Sequence, residues 1–302
     1  MSLTVTQKAI AASLCFFGIG VVSRLSSWLS HWSLNNFVRD TSWNWPKELV
    51  IVTGGSSGIG AEIVSRLRAQ KIKTIVLDVV APDVTAESGV VFYHHVDLTS
   101  TSAIRTAVRH IRDAHGSPSV LINNAGIVLF KNILDESDDE RRRIFDVNIF
   151  AHFTLVQELL PGMIAKNHGH IVTVASMASF YTQAQNVSYA CTKSAAMAFH
   201  EGVAQELRAR YGANKVRTTI VHPMFVRTPL IDGLTKQGEF RAYLLGASEV
   251  ADAVIQQVLS GYGGRLIIPS QMAILTLLRG LPQWVLRLFQ ARDTDVVALA
   301  SH

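Results

Sequence analysis

The chain has 302 residues, enough for one α/β domain of ordinary size with extra segments at its ends. It is 48% hydrophobic and only 17% charged, more apolar than an average globular protein, and the surplus lies at the two ends, which points to membrane contact. The net charge of +5 comes from scattered lysines and arginines rather than a basic stripe interleaved with aromatics, which argues against nucleic-acid binding. Its two cysteines, Cys15 and Cys191, lie in unrelated contexts, so no disulfide framework is expected.

Ala9 to Val22 is almost unbroken apolar, with Lys8 before it and Arg24 and the aromatic-dotted stretch Trp28 to Trp32 after it. A spanning helix needs about 20 apolar residues, so a short anchor or interfacial segment competes with a true span. A cleaved signal peptide is the third reading. Bulky Arg24, Leu25 and Trp28 stand where a small-residue cleavage site belongs, and an uncleaved anchor is therefore expected.

Leu49 to Gly55 then reads as a buried parallel strand running into a glycine-rich turn. Helices are predicted at 61–70, 102–115, 138–166 and 188–211, and strands at 74–78, 90–96, 119–123, 170–175 and 216–221. This alternation predicts a single Rossmann-type doubly wound parallel sheet with helices on both faces. From Met272 to Phe289 the chain is apolar again, with Arg279 and Arg287 interspersed and Pro282 breaking it. Such a tail suits a membrane surface or a lid over a lipophilic substrate, and equally a helix packed on the domain's own core.

Between the first strand and the first helix stands Thr53-Gly54-Gly55-Ser56-Ser57-Gly58-Ile59-Gly60, the context that a dinucleotide loop requires. Gly54, Gly58 and Gly60 allow the tight turn, approach of backbone to a pyrophosphate and close helix–sheet packing, while a helix starting near Ile59 offers free N–H groups to phosphate. Ser56, Ser57 and Ile59 belong to the same candidate cradle. Asp78 ends the second strand, where a carboxylate accepts bonds from ribose hydroxyls and repels a 2′-phosphate, so NAD is favoured over NADP. Asp97, after the third strand, suits the adenine amino group or simply a turn.

Tyr189 and Lys193 stand at i and i+4, on one face of a helix. A nearby ammonium brings a phenol, which titrates near pH 10, closer to the range useful for acid–base work. Ser176 follows a predicted strand and so faces the crevice where ligands bind in such sheets. Asn148 either holds a water for proton relay or ties backbone carbonyls. No metal site is read in the sequence.

Taken together, TGGSSGIG at 53–60, NNAG at 123–126, Asn148, Ser176, YACTK at 189–193 and Pro223 to Thr228 resemble the short-chain dehydrogenase/reductase superfamily over residues 47–270. The resemblance implies Tyr189 as general acid/base, Lys193 lowering its pKa and holding the nicotinamide ribose, Ser176 orienting the substrate oxygen and Asn148 supporting the relay. It further implies that Asn123 to Gly126, Asn124 among them, line the cofactor pocket and that Val226 and Thr228 hold the carboxamide. One departure is Met224, where the family usually has glycine after Pro223. The apolar ends and Asp78 resemble the membrane-associated retinol, long-chain alcohol and 17β-hydroxysteroid dehydrogenases. Three segments are expected: a membrane anchor over 1–45, a catalytic domain over 46–270 and an apolar tail over 271–302.

The expected activity is hydride transfer between a nicotinamide cofactor and a lipophilic alcohol or ketone, with selectivity set by Met224 to Ala247, including Phe225, Leu230, Phe240, Tyr243 and Leu244. A catalytically silent cofactor-binding scaffold and an epimerase or lyase on the same fold are the alternatives. The catalytic domain is expected to face the cytosol at the endoplasmic reticulum or a lipid droplet. Self-association through the helices of 138–166 and 188–211 is implied by the resemblance. Asn186-Val187-Ser188 is formally a glycosylation sequon, expected to be unmodified because a glycan there obstructs Tyr189.

Overall fold

The computed structural model describes residues 21–22, 24–83, 89–235 and 243–292. The strands are Leu49–Thr53 (β1), Lys73–Asp78 (β2), Val91–His95 (β3), Val120–Asn123 (β4), Gly169–Val174 (β5), Val216–Pro223 (β6), the short pair Val226–Arg227 (β7) and Leu245–Gly246 (β8), and Gly264–Ile268 (β9). Seven form one parallel sheet in the order β3-β2-β1-β4-β5-β6-β9. The order reverses between β1 and β4, which opens a crevice at their carboxyl ends. The last strand, β9, extends the sheet beyond the six legible in the sequence.

The helices are Gly58–Ala69 (α1), Thr101–His115 (α2), Asp138–Phe145 (α3), Ala151–Lys166 (α4), Val187–Ala209 (α5), Asp232–Thr235 (α6), Ala247–Leu259 (α7) and Gln283–Arg292 (α8). Strand β1 is buried along its whole length, and its side chains alternate between two cores. Leu49 and Ile51 meet Ile104 and Val108 of α2, Leu155 and Leu159 of α4 and Phe199 of α5. Val50 and Val52 meet Ile63 and Leu67 of α1 with Val250 and Val254 of α7. A strand covered on both faces has no polar side to show, which is why its sequence is a continuous apolar run.

The helix expected over 138–166 is interrupted. A π turn at Asp146–Phe150 separates α3 from α4, and Asn148 sits in it. This run is also the one helical segment among the described residues long and apolar enough by composition to cross a membrane, yet most of it is buried against the sheet and neighbouring helices. Of the candidate anchor at 9–22, only Val21 and Val22 fall within the described residues. The tail is divided: in the 3-10 run Ser270–Gly280, Leu278 is buried while Ile274 and Leu277 are exposed, as are Trp284 and Leu288 in α8.

Residues 24–34 are helical, and the segment that follows is clamped to the domain. Arg217, wholly buried, donates to the carbonyls of Asn35 (2.9 Å) and Val38 (2.6 Å). Asn35 exchanges side-chain bonds with the backbone of Gly263. Further along, His168 meets Glu48 through Nε2 at 3.2 Å and Asp40 through Nδ1 at 3.6 Å. The hydrogen bond to Glu48 raises the imidazole's pKa. Burial pushes the Glu48 carboxyl up, but bonds from His168 and Ser119 outweigh it and leave the pKa below its usual value. A raised histidine stabilises the fold fully below about pH 6.5 and loses that contribution as pH rises through its folded pKa. The lowered carboxylate stabilises above about pH 4.3 and loses its share as pH falls. Thermal unfolding of His168→Gln against the wild type should therefore show a gap of a few degrees at pH 6 that narrows at pH 8.

Candidate active site

At the switch point, the turn after β1 is shaped by two glycines. Gly54 has φ of +63°, and a Cβ there would lie 2.8 Å from the Ala125 Cα. At Gly60 a Cβ would stand 2.0 Å from the Gly54 carbonyl oxygen, so only glycine lets α1 start this close to the loop. Helix α1 begins at Gly58 with no side-chain cap from Ser57, which leaves its first N–H groups and positive dipole end for an anion.

The cleft above this turn is lined by Gly54, Ser57, Gly58, Ile59, Asp78, Asp97, Asn124 and Thr228. Asp78 holds the loop from the far side, accepting from the Ser56 N–H at 3.0 Å. Asp97 accepts from the N–H and hydroxyl of Thr99, both at 2.9 Å, so its turn role is present alongside its place in the cleft. Asn124 donates to the carbonyls of Thr53 and Gly54. Ser56 and Gly60 do not line the cleft: the Ser56 hydroxyl bonds the Val80 carbonyl, and Gly60 is packed under the turn. Arg143 lines it too and was not singled out in the sequence, where one of three consecutive arginines carries no mark of facing inward.

Beyond Ile59, Asn124, Gly126, Thr228 and Leu230, which border both, the cleft continues into a cavity holding Ser176, Tyr189, Lys193 and Val226. Ser176 and Tyr189 line this cavity together. Burial pushes the Tyr189 phenol up to about 12, with the neighbouring Ser176 hydroxyl opposing. Lys193 Nζ lies 5.5 Å from the Tyr189 ring centroid and donates to the Val174 carbonyl at 2.9 Å, while burial brings the ammonium down to about 8. Desolvation dominates, no lowering of the phenol by Lys193 is resolved, and Tyr189 rests protonated. Asn148 is buried outside the cavity. Its Nδ2 donates to the Ile127 carbonyl (2.9 Å) and Thr192 Oγ1 (3.0 Å), and its Oδ1 accepts from the Ile127 N–H (2.8 Å). Both amide protons are used within the protein, tying the turn after β4 to the helix that carries Tyr189. His222, unmarked in the sequence, supports the serine: its Nδ1 meets the Ser176 carbonyl at 3.1 Å.

The rest of the cavity is mostly apolar, with Phe130, Met224, Phe225, Leu230, Leu275 and Leu278 among its walls. Met224, the departure after Pro223, donates its N–H to the Ile268 carbonyl and lines the cavity. Leu275 and Leu278 come from the tail, which thereby closes one side. Tyr243 is exposed, Leu244 is half-buried and neither lines the cavity; Phe240 lies outside the described residues.

The family model for short chain dehydrogenase matches residues 48–239. The chain belongs to the short-chain dehydrogenase family. It is 53% identical over 210 residues to Dehydrogenase RED2 of Cochliobolus heterostrophus, covering 68% of this chain and 79% of that protein. It is 31% identical over 245 residues to 17-beta-hydroxysteroid dehydrogenase 13 of Homo sapiens, covering 78% and 80%. Among solved structures, the aldohexose dehydrogenase of Thermoplasma acidophilum matches with a TM-score of 0.64 at 26% identity, covering 73% of this chain and 92% of that one. This short-chain dehydrogenase is accordingly an oxidoreductase that acts on CH–OH groups of a small molecule with an NAD(P)-binding fold. The uncapped helix end and the glycine cradle fit the pyrophosphate of such a cofactor.

Proposed function

We propose that the protein is an NAD-dependent dehydrogenase that interconverts a lipophilic alcohol, such as a retinoid, steroid or long-chain alcohol, and its carbonyl at a membrane surface. The observation that carries this reading is the placement of Ser176 and Tyr189 together in a mainly apolar cavity continuous with the dinucleotide cleft. Gly54, Ser57, Gly58, Ile59 and Asn124 would hold the dinucleotide, with Asp78 and Asp97 on its adenosine side and Val226 and Thr228 by the nicotinamide. When bound, the nicotinamide accepts or donates the hydride.

The side chains handle the proton and the geometry. Ser176 orients the substrate oxygen beside the phenol. Tyr189 donates its proton to the oxygen when a carbonyl is reduced, and takes the hydroxyl proton when an alcohol is oxidised. Lys193, Asn148 and His222 keep that pair in position. The apolar walls exclude water, which strengthens each of these polar contacts.

The relatives' names support the substrate class, since one is a hydroxysteroid dehydrogenase. Exposed Ile274, Leu277, Trp284 and Leu288 on the tail, with Leu25, Trp28 and Leu29 near the N-terminal segment, support membrane association with the catalytic domain facing the cytosol, on the endoplasmic reticulum or a lipid droplet. Residues 1–45 would anchor, 46–270 catalyse and 271–302 complete the cavity wall. Exposed Phe150 and Phe153 support a homodimer through the helices of 138–166.

The test is NADH formation by detergent-solubilised protein on retinoid, steroid and long-chain alcohols beside a polar sugar alcohol. Turnover confined to the lipophilic set is expected; turnover of the sugar alcohol alone would overturn the substrate class. Asp78→Asn keeps an acceptor for Ser56 but removes the charge that repels a 2′-phosphate, so the NADP-to-NAD ratio of kcat/KM should rise about tenfold or more.

A further inference from the structure

We infer that Asn186 forms a second recognition point in the substrate cavity, selecting lipophilic substrates that carry an additional oxygen, hydroxyl or carbonyl, besides the one that reacts. Asn186 lines the cavity, is 6% exposed, and its buried Oδ1 has no hydrogen-bond partner among the described residues. A buried acceptor left unpaired costs free energy, which a ligand hydroxyl recovers by donating to it. The amide offers both a donor and an acceptor, so it accommodates either oxygen type.

The side chain has forgone an ordinary use. Asn186 is the N-cap of α5, where an asparagine normally accepts from the N–H two or three residues on, yet it makes no such bond. Its backbone is delivered by Gln185, a non-glycine residue at φ of +57°. Strain of this kind persists where the surrounding structure requires it, often at ligand sites. One helical turn later comes Tyr189, which puts the second oxygen within several ångströms of the reacting carbon. Gln183 adds another polar group to the same wall. The two ends of the Asn186-Val187-Ser188 sequon are both buried, and the Ser188 hydroxyl bonds buried Glu136. A carbohydrate role for this asparagine is thereby disfavoured.

This inference rests on the dehydrogenase reading above, and its test keeps the two apart. Wild type, Asn186→Leu, Asn186→Ser and Tyr189→Phe are assayed on lipophilic alcohols matched in pairs that differ by one extra hydroxyl or keto oxygen, from vicinal to about 10 Å away. The wild type is expected to favour the oxygenated member of at least one pair about tenfold or more in kcat/KM, mainly through KM. Asn186→Leu should bring that ratio near one while leaving turnover of the plain alcohol within about threefold. Serine at 186 caps α5 yet is too short to serve the cavity. Asn186→Ser should thus melt no lower than wild type and still lose the preference, which a merely structural asparagine would not do. Equal preference in wild type and both variants, or none in any pair, overturns the inference. Full turnover in Tyr189→Phe overturns the dehydrogenase mechanism instead.

Discussion

Replacing Tyr189 by phenylalanine should lower kcat by about a thousandfold, within the range that a positioned acid–base group contributes. The change removes one oxygen from a buried ring, leaving the packing and the dinucleotide cleft as they are. NADH binding, followed by quenching of protein fluorescence, should stay within a factor of two of wild type. Ser176 loses a polar neighbour in the variant, but its carbonyl remains fixed by His222. A fall in KM-independent rate with binding intact is the signature of a group that acts on the reacting oxygen. A fall explained by lost dinucleotide binding would assign Tyr189 a structural part.

Gly60→Ala should be as damaging by a different route. The new methyl would meet the Gly54 carbonyl oxygen at 2.0 Å and the Asn124 amide at 2.6 Å, and the first of these is backbone. Either α1 moves away from the loop or the turn opens. Both disturb the N–H groups that face the cleft, so dinucleotide affinity should fall by at least a hundredfold and stability by about 3 kcal/mol. Gly162→Ala is the natural control, because a Cβ there meets nothing within 4 Å in the helix α4. That change should raise stability by about 0.5–1 kcal/mol, since alanine loses less chain entropy on folding. Equal tolerance of the two alanines in thermal unfolding and NADH titration would refute the packing argument for the loop.

The sheet was legible because burial on both faces makes its central strands nearly continuous apolar runs, as at 49–52 and 120–122. The site was legible where backbone geometry or spacing restricts the residue, at Gly54, at Gly60 and at the Tyr189–Lys193 pair. The π turn around Asn148 was not, because an extra residue in a helical turn leaves the hydrophobic pattern on either side intact. Asn186 was read only as part of a sequon; its role depends on a rotamer that declines to cap a helix, which no pattern of residue types records. The phenol's pKa was misjudged for a related reason. Sequence spacing brought the ammonium near, whereas the depth of burial, which pushes Tyr189 up to about 12, exists only once the cavity walls from Phe225 and the tail have assembled.

The most direct test follows the hydride itself. Protein is incubated with NAD and a long-chain or steroid alcohol deuterated at the carbinol carbon, and the nicotinamide is recovered for mass spectrometry. The account predicts one deuterium on the reduced nicotinamide in the wild type and almost none with Tyr189→Phe. Unlabelled cofactor from wild-type protein that binds NAD, across retinoid, steroid and long-chain alcohols alike, would contradict it.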